Sequence, residues 1–321
     1  MRLQRGEGIG SAMKMLIALG GNAILKESEK GTFDGQKHNI RYTAKRIAEI
    51  IKKGHSVVIT HGNGPQVGEI LLRYELSREK LPVMPLPVCG AESQGMMGYM
   101  IEELLDAELC KLGIKKGVVC LITRTVVDRK DPHFRKPSKP IGPFYSKAEA
   151  FKMAHEYRWK LVEESGRYRR VVPSPMPIDI VELDAIRRLS SEGKVVICCG
   201  GGGVPVVRNR KGLEGVGAVI DKDFASSLLA RKLQADRFIV LTDVESVFLD
   251  YGKLTQRKLT TATASQLRRW VLEDQFEEGT MKPKIIAAAD FAEETGKVAI
   301  IAALKDLKMA VNGKRGTVIT P

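Results

Sequence analysis

Short apolar runs alternate with amphipathic segments along most of the chain. The apolar runs are five to seven residues long and lie at 15–19, 56–60, 117–123, 194–199, 237–242 and 297–302. Between them lie segments with helical spacing, such as 39–51, in which Ile40, Ala44, Ile47 and Ile51 fall on one face. A longer helix is expected over 93–112. Strands that alternate with helices predict an α/β fold with a mostly parallel sheet covered on both faces.

The stretch 128–178 interrupts this rhythm. It holds half of the fourteen prolines, many basic residues, and the aromatic side chains of Tyr157 and Trp159. A long surface loop is the alternative, but loops of this length without structure are uncommon in compact domains. We therefore expect a small protruding lid subdomain. Residues 1–13 lack the apolar stretch of a signal peptide and are expected to be a disordered extension, with one folded domain over 14–321.

Composition narrows the function classes. The net charge of +14 comes from 52 basic and 38 acidic residues, but the basic residues are scattered and no aromatic-rich basic segment accompanies them. We expect a solvated surface that attracts small anions, and no specific nucleic-acid binding. The sequence contains no run of about 18 apolar residues, so no membrane-spanning helix is predicted. The five cysteines form no C-x-x-C pair, which favours reduced thiols in the cytoplasm over disulfides or zinc.

Three glycine-rich turns directly follow predicted strands. They are L-G-G-N at 19–22, T-H-G-N-G-P-Q at 60–66 and the four glycines at 200–203. Glycine allows the backbone to approach an anion closely, and free N–H groups at a helix start bind one. Tight turns or a hinge are the alternatives. Because parallel sheets bind ligands at the carboxyl ends of their strands, we expect these turns to form the site. None matches a P-loop.

Two lysines stand in positions that favour a bound phosphate. Lys222 lies between Asp221 and Asp223 in I-D-K-D, just before a helix expected near Phe224, and we expect Asp221 to orient its ammonium group. Lys284 falls in the first turn of an alanine-rich helix, where its charge opposes the helix dipole. A solvated surface cluster is the alternative for both.

Eight segments together resemble the carbamate kinases. In order they are L-G-G-N-A, H-G-N-G-P-Q-V-G, S-Q-G-x-x-G-Y-M, K-P-x-G-P-F-Y, V-V-P-S-P, G-G-G-G-V-P, V-I-D-K-D and M-x-P-K, and they span Lys14 to Pro321. The resemblance implies the amino-acid kinase fold, a three-layer αβα sandwich around a mostly parallel sheet. It also implies a homodimer, reversible phosphoryl transfer between ATP and carbamate with Mg²⁺, and a place in arginine breakdown.

The resemblance carries site residues over to this chain. The lysines and carboxylate of the reaction would be Lys139, Lys222, Lys284 and Asp221. The substrate loops would be Gly20, Gly21 and Asn22 on the phosphate side and Gly62, Asn63 and Gly64 on the carbamoyl side. The nucleotide would contact Gly201, Gly202, Thr242, Asp243, Val244, Phe248, Met281 and Pro283. No protein metal ligand is implied, and Mg²⁺ is expected on the nucleotide phosphates, because no carboxylate cage is visible.

One position distinguishes the carbamate kinases from other kinases of the same fold. Acetylglutamate, aspartate and uridylate kinases usually carry a lysine two residues before the glycine pair, where this chain has Ala18. In carbamate kinases the subdomain supplies that lysine, here Lys139. Another small-acid or phosphate kinase of the same fold is the alternative function. The chain departs from the family pattern at 165–169 and at Lys282, which affects lid packing and adenine fit rather than chemistry.

The chemistry explains why lysines and backbone N–H groups would suffice. Carbamate is already an anion, so its oxygen needs no general base. Phosphoryl transfer depends mostly on positioning and on neutralising charge. Loss of Lys222 or Lys139 is therefore expected to cost about 10²–10³-fold in rate.

Overall fold

The computed structural model describes residues 12–21, 24, 31–164, 166–277 and 279–321. Within these ranges the strands are β1 (Lys14–Leu19), β2 (Ser56–His61), β3 (Val118–Cys120), β4 (Arg124–Val127), β5 (Lys139–Tyr145), β6 (Lys160–Glu164), β7 (Arg167–Val172), β8 (Pro177–Ile180), β9 (Val195–Ile197), β10 (Val204–Asn209), β11 (Gly212–Gly215), β12 (Arg237–Thr242), β13 (Val247–Leu249), β14 (Arg257–Leu259), β15 (Thr261–Thr263), β16 (Val298–Ala303) and β17 (Thr317–Thr320). The helices are α1 (Phe33–Lys52), α2 (Gly64–Ser77), α3 (Leu86–Lys111), α4 (Lys147–Tyr157), α5 (Leu183–Ser191), α6 (Lys222–Lys232), α7 (Ala264–Leu272), α8 (Met281–Thr295) and α9 (Leu307–Ala310).

The central sheet has eight strands in the order β15-β17-β16-β12-β1-β2-β9-β3. From β16 to β3 every neighbouring pair is parallel. β17 is antiparallel to β16, and the edge strand β15 is parallel to β17. The predicted mostly parallel sheet is confirmed. The adjacent parallel strands β12, β1, β2 and β9 therefore present their carboxyl ends side by side, which brings the turns that follow them together.

Helices cover both faces of this sheet, and β1 shows why. Its alternate side chains point to opposite faces, as the two-residue period of a strand requires. Met15, Ile17 and Leu19 pack against α1 and α3, while Leu16 and Ala18 pack against the layer that contains α6 and α8. Both layers are apolar and closely filled, so β1 is buried on both sides. The expected three-layer αβα sandwich is confirmed.

Some element boundaries differ from the sequence predictions. The helix predicted from residue 39 begins at Phe33, where the Thr32 side chain accepts a hydrogen bond from the Gly35 N–H. The helix predicted from residue 93 begins at Leu86, because a proline is compatible with the first helical turn. The strand expected over 117–123 is only β3, and the helix expected near Phe224 begins at Lys222. Hydrophobic spacing locates elements better than their ends.

The chain leaves the main body after β4 and returns at β8, and these two strands pair with each other. Between them, β5, β7 and β6 form an antiparallel sheet that carries α4. Tyr145, Ala150 and Trp159 form a separate small core there. The 128–178 interval thus has its own sheet, helix and core, while residues 1–11 of the expected extension lie outside the described residues.

The described cysteines are all free thiols. Cys89, Cys198 and Cys199 are buried, and burial raises the pKa of the Cys89 thiol to about 11. Among the described residues, no helix is both long and apolar enough to cross a membrane.

Candidate active site

The predicted phosphate-side and carbamoyl-side loops meet at the carboxyl ends of β1 and β2. Gly20 lies against β12, since a Cβ there would come within 2.7 Å of the Leu241 carbonyl oxygen. A Cβ on Gly62 would lie 3.7 Å from the Gly21 nitrogen, and also within 3.4–3.5 Å of the Lys222 side chain. The glycines therefore allow two backbones and a lysine stem to share one small space. Asn22 lies outside the described residues.

The four glycines at 200–203 are explained by contacts within the protein. A Cβ on Gly200 would come within 2.5 Å of His61 Nε2, and one on Gly201 within 2.0 Å of Asn63 Oδ1. Gly202 faces the Ile220 carbonyl in the same way, and Gly201 to Gly203 all have positive φ. The turn thus packs between the carbamoyl-side loop and the segment that leads to Lys222. This close approach within the protein already favours glycine at all four positions.

Asn63 is fixed by α3. Its amide nitrogen donates to Ser93 Oγ at 2.6 Å, and Ser93 Oγ donates in turn to the Gly90 carbonyl. The next residue, Gln94, makes two hydrogen bonds to the backbone of Thr123 at 3.0 and 2.9 Å. Ser93 and Gln94 are buried and were not among the predicted site residues. Both residues belong to the S-Q-G-x-x-G-Y-M segment, and that segment was the sequence signal that could have identified them.

Three lysines from separate segments converge on two aspartates. Lys139 Nζ donates to Asp221 Oδ2 at 2.5 Å. Lys222 Nζ donates to Asp223 Oδ1 at 2.6 Å, and Lys284 Nζ lies 3.2 Å from the other oxygen of the same carboxylate. Lys139 comes from the subdomain, Lys222 from the start of α6 and Lys284 from the first turn of α8. The structure therefore brings together all three lysines that the sequence predicted.

The carboxylate partners differ from the sequence prediction. Asp221 was expected to orient Lys222, but its side chain accepts from Lys139 and from the Asp223 N–H, which caps α6. Asp223 instead bridges Lys222 and Lys284. It directly follows Lys222 and was not assigned a role from the sequence, because only the rotation of the first helical turn decides which carboxylate faces which lysine.

The charged groups of this cluster are buried and shift one another's pKa values. Asp223 is 2% exposed; burial alone would raise its pKa, but the Lys222 and Lys284 ammonium groups hold it well below its usual range. Burial lowers the pKa of Lys222 in spite of the attraction of Asp223, and the Lys284 charge adds to the lowering. For Lys284, burial also acts downward, but Asp223 and Asp221 outweigh it and the net pKa is raised. The ionised carboxylate keeps two like charges close together.

His61 is a neutral structural residue. It is 1% exposed at the end of β2, and burial lowers its pKa to about 4. Its Nδ1 lies 3.0 Å from the Gly62 carbonyl oxygen, which can only accept, so this nitrogen carries the proton. A neutral, buried imidazole that is hydrogen-bonded to the loop is suited to fixing the turn rather than to exchanging protons.

Three of the predicted nucleotide residues, Asp243, Met281 and Pro283, lie near Lys284. Thr242 ends β12, and Asp243 is close enough to raise the pKa of Lys284. Met281 and Pro283 are half-buried in the same helical turn as this lysine. Phe248 lies on β13, with its ring 5.9 Å from that of Tyr251, and Val244 is half-buried just after β12. Within the described ranges, no group of three or more His, Cys, Asp or Glu side chains is arranged to hold a metal ion.

Comparisons with known proteins agree with this geometry. The family model described as the amino acid kinase family matches residues 13–303. The carbamate kinase of Pyrococcus horikoshii is 49% identical over 96% of this chain and 99% of its own length. That of Trichomonas vaginalis is 46% identical over 96% of this chain and 100% of its own length. The structure of the Giardia lamblia carbamate kinase bound to AMP-PNP has a TM-score of 0.89 and 43% identity, covering 97% and 99% of the two chains.

Proposed function

This chain belongs to the amino acid kinase family, and within it to the carbamate kinases, and from that premise we propose how its own residues transfer a phosphoryl group between carbamoyl phosphate and ADP. The observation that carries the proposal is the convergence of Lys139, Lys222 and Lys284 beside the glycine turns. Three cations beside glycine-rich turns at one sheet edge suit a reaction in which two anions must meet.

Each lysine has a distinct place in the proposed transfer. The Lys222 side chain lies beside Gly62, which in turn lies close to the Gly21 nitrogen. Because Lys222 is next to the point where the two substrate-side turns meet, we assign it to the phosphoryl group that is transferred. Lys139 approaches from the subdomain and would neutralise the carbamoyl phosphate. Lys284 lies beside Asp243 and Met281 and would hold the nucleotide phosphates. Gly20, Gly21, Asn22, Gly62, Asn63 and Gly64 would line the substrate side.

The two aspartates act on the lysines rather than on the substrate. Asp223 would hold Lys222 and Lys284 at a fixed spacing, and Asp221 would hold Lys139. Each ammonium group has three N–H donors, so a lysine can keep its aspartate and still donate to a phosphate oxygen. Carbamate attacks as an anion, so the proposed step is an in-line displacement without a general base or a covalent enzyme intermediate. The neutral, buried His61 is consistent with this.

Mg²⁺ would arrive as part of the nucleotide substrate. The carboxylates nearest the site, Asp221 and Asp223, already accept hydrogen bonds from lysines. The phosphate oxygens then remain as the main ligands, together with water, as is usual for this ion. Thr242, Asp243, Val244, Phe248, Met281, Pro283, Gly201 and Gly202 are proposed for the nucleotide side, and the segment 128–178 is proposed as a lid.

We further propose a cytoplasmic homodimer that forms ATP at the end of arginine breakdown. The family relationship supports the assembly and the pathway. Val88, Tyr99 and Ile122 support an interface, because these large apolar side chains are 40%, 61% and 54% exposed in the single chain. Sedimentation at several protein concentrations tests the assembly.

ATP formation from carbamoyl phosphate and MgADP, read by a coupled assay, tests the function. The wild-type protein should form ATP, and Lys222→Ala should be slower by about 10²–10³-fold. The matched control is Lys211→Ala, because Lys211 lies in the exposed turn between β10 and β11. Turnover of another acyl phosphate but not carbamoyl phosphate would assign a different acid substrate. Near-normal turnover by Lys222→Ala would remove the proposed mechanism.

A further inference from the structure

Helix α2 and strand β5 touch backbone to backbone at two glycines. A Cβ on Gly68 would lie 2.1 Å from both the Cα and the nitrogen of Gly142 and 2.9 Å from the Ile141 carbonyl carbon. All three are backbone atoms, so no side chain can move aside to make room. Gly142 has a φ of +75°, which favours glycine for a second reason. Both glycines belong to motifs of the sequence, yet neither has a role in the transfer described above.

A second close approach lies one helical turn away. A Cβ on Gly64 would be 3.8 Å from the Pro140 carbonyl oxygen. From Gly64 to Gly68 the helix rises about 6.0 Å, and from Pro140 to Gly142 the strand advances about 6.6 Å. The two spacings match, so β5 runs alongside the first turn of α2 in register. The contact is therefore a short seam with two points, which resists rotation as well as translation.

The seam joins two parts of the site that come from different layers of the fold. The amino end of α2 is the carbamoyl-side loop at Gly62 to Gly64, and the first residue of β5 is Lys139. Beyond the seam, Ile141 is 1% exposed and packs with Val67, Val172 and Val219. The subdomain is thus clamped to the main body three residues from the lysine that it supplies.

We propose that Gly68 is a positioning residue for the phosphoryl transfer, which acts by holding β5, and with it Lys139, at a fixed distance from the carbamoyl-side loop. The proposal rests on the role assigned to Lys139 above. A methyl group at position 68 needs about 3.5 Å from the nearest carbon, so it would displace β5 by roughly 1.4 Å from the 2.1 Å approach. Misplacement of a catalytic group by about 1 Å costs about 10²-fold in rate.

A double-mutant cycle of Gly68→Ala and Lys139→Ala tests this inference in the ATP-forming assay. Gly68→Ala should lower kcat by about 10²-fold and leave the KM for ADP within about 3-fold, because Lys284 and α8 are not part of the seam. In the Lys139→Ala background the same change should cost less than about 3-fold, since the lysine that it displaces is already gone. Gly217→Ala is the control, because its methyl group would meet nothing within 4 Å, and it should keep wild-type rates.

The outcomes separate the inference from the proposed function. Near-normal activity of Lys139→Ala would overturn the role of that lysine. If Lys139→Ala is slow and Gly68→Ala has normal activity, only the positioning role is overturned. The same holds if the losses from the two changes multiply. If Gly68→Ala does not fold, Ile141→Ala loosens the same strand by removing its packing against Val67 and its neighbours, and it replaces Gly68→Ala in the cycle. Multiplying losses for Ile141→Ala would contradict the proposal in the same way.

Discussion

Asp223→Asn should damage both the stability and the activity of this enzyme. The side chain is 3% exposed and accepts from Lys222 at 2.6 Å with one oxygen and from Lys284 at 3.2 Å with the other. Asparagine has one acceptor oxygen, so one ammonium group must face an NH₂ group. Breaking a buried ion pair costs about 3–5 kcal/mol. At roughly 2 °C per kcal/mol for a chain of this size, Tm should fall by about 6–10 °C.

The same change should lower kcat by at least about 10²-fold, because two lysines lose their common anchor. Calorimetry and the ATP-forming assay measure the two effects, and Asp184→Asn is the control, since Asp184 is 95% exposed in its ion pair with Arg187. The pH dependence adds a check. The pKa of Asp223 is depressed on folding, so its stabilisation is complete above an unfolded pKa of about 3.9 and is lost as pH falls further. The difference between wild type and variant should therefore shrink below about pH 4. An unchanged Tm with kcat within about 3-fold would refute the bridging role.

Three further changes test separate parts of the site. Lys284→Ala should raise the KM for ADP by about 10-fold or more and leave the KM for carbamoyl phosphate little changed. Initial rates measured with each substrate varied in turn give the two KM values, and equal effects on both would contradict the assignment. Gly201→Ala places a methyl group 2.0 Å from Asn63 Oδ1 at a φ of +61°, so it should raise the KM for carbamoyl phosphate and lower Tm, whereas Gly217→Ala, with nothing within 4 Å, should do neither. His61 has a pKa of about 4 in the folded protein against 6.5 as its ordinary value. The unfolded chain therefore binds a proton first as pH falls, and the wild type should lose about 2 kcal/mol between about pH 8 and pH 5 that His61→Gln keeps. Urea unfolding at both pH values checks this, and equal losses would exclude His61 as the source.

The sequence determined the architecture and the chemical character of the site. Two-residue and 3.6-residue hydrophobic periods specify strands and helices locally, and their alternation restricts the fold to a covered parallel sheet. The place of the site follows from that topology, because turns after neighbouring parallel strands must meet at one edge. Lys222 and Lys284 were found because each stood beside a local signal, an acidic motif or a helix start.

Only the tertiary structure decided which groups touch. Lys139 and Asp221 are 82 positions apart, and Lys284 and Asp223 are 61 apart, so no local pattern could pair them. Lys222 contacts Asp223 and not Asp221, and the rotation of one helical turn decides between the two. The sequence favoured a ligand contact as the reason for the glycines at 200–203, and the structure adds that they make room for His61, Asn63 and Ile220. A glycine in the sequence does not show what occupies the space next to its Cα. That space is filled by a distant segment, which packs there only in the folded chain.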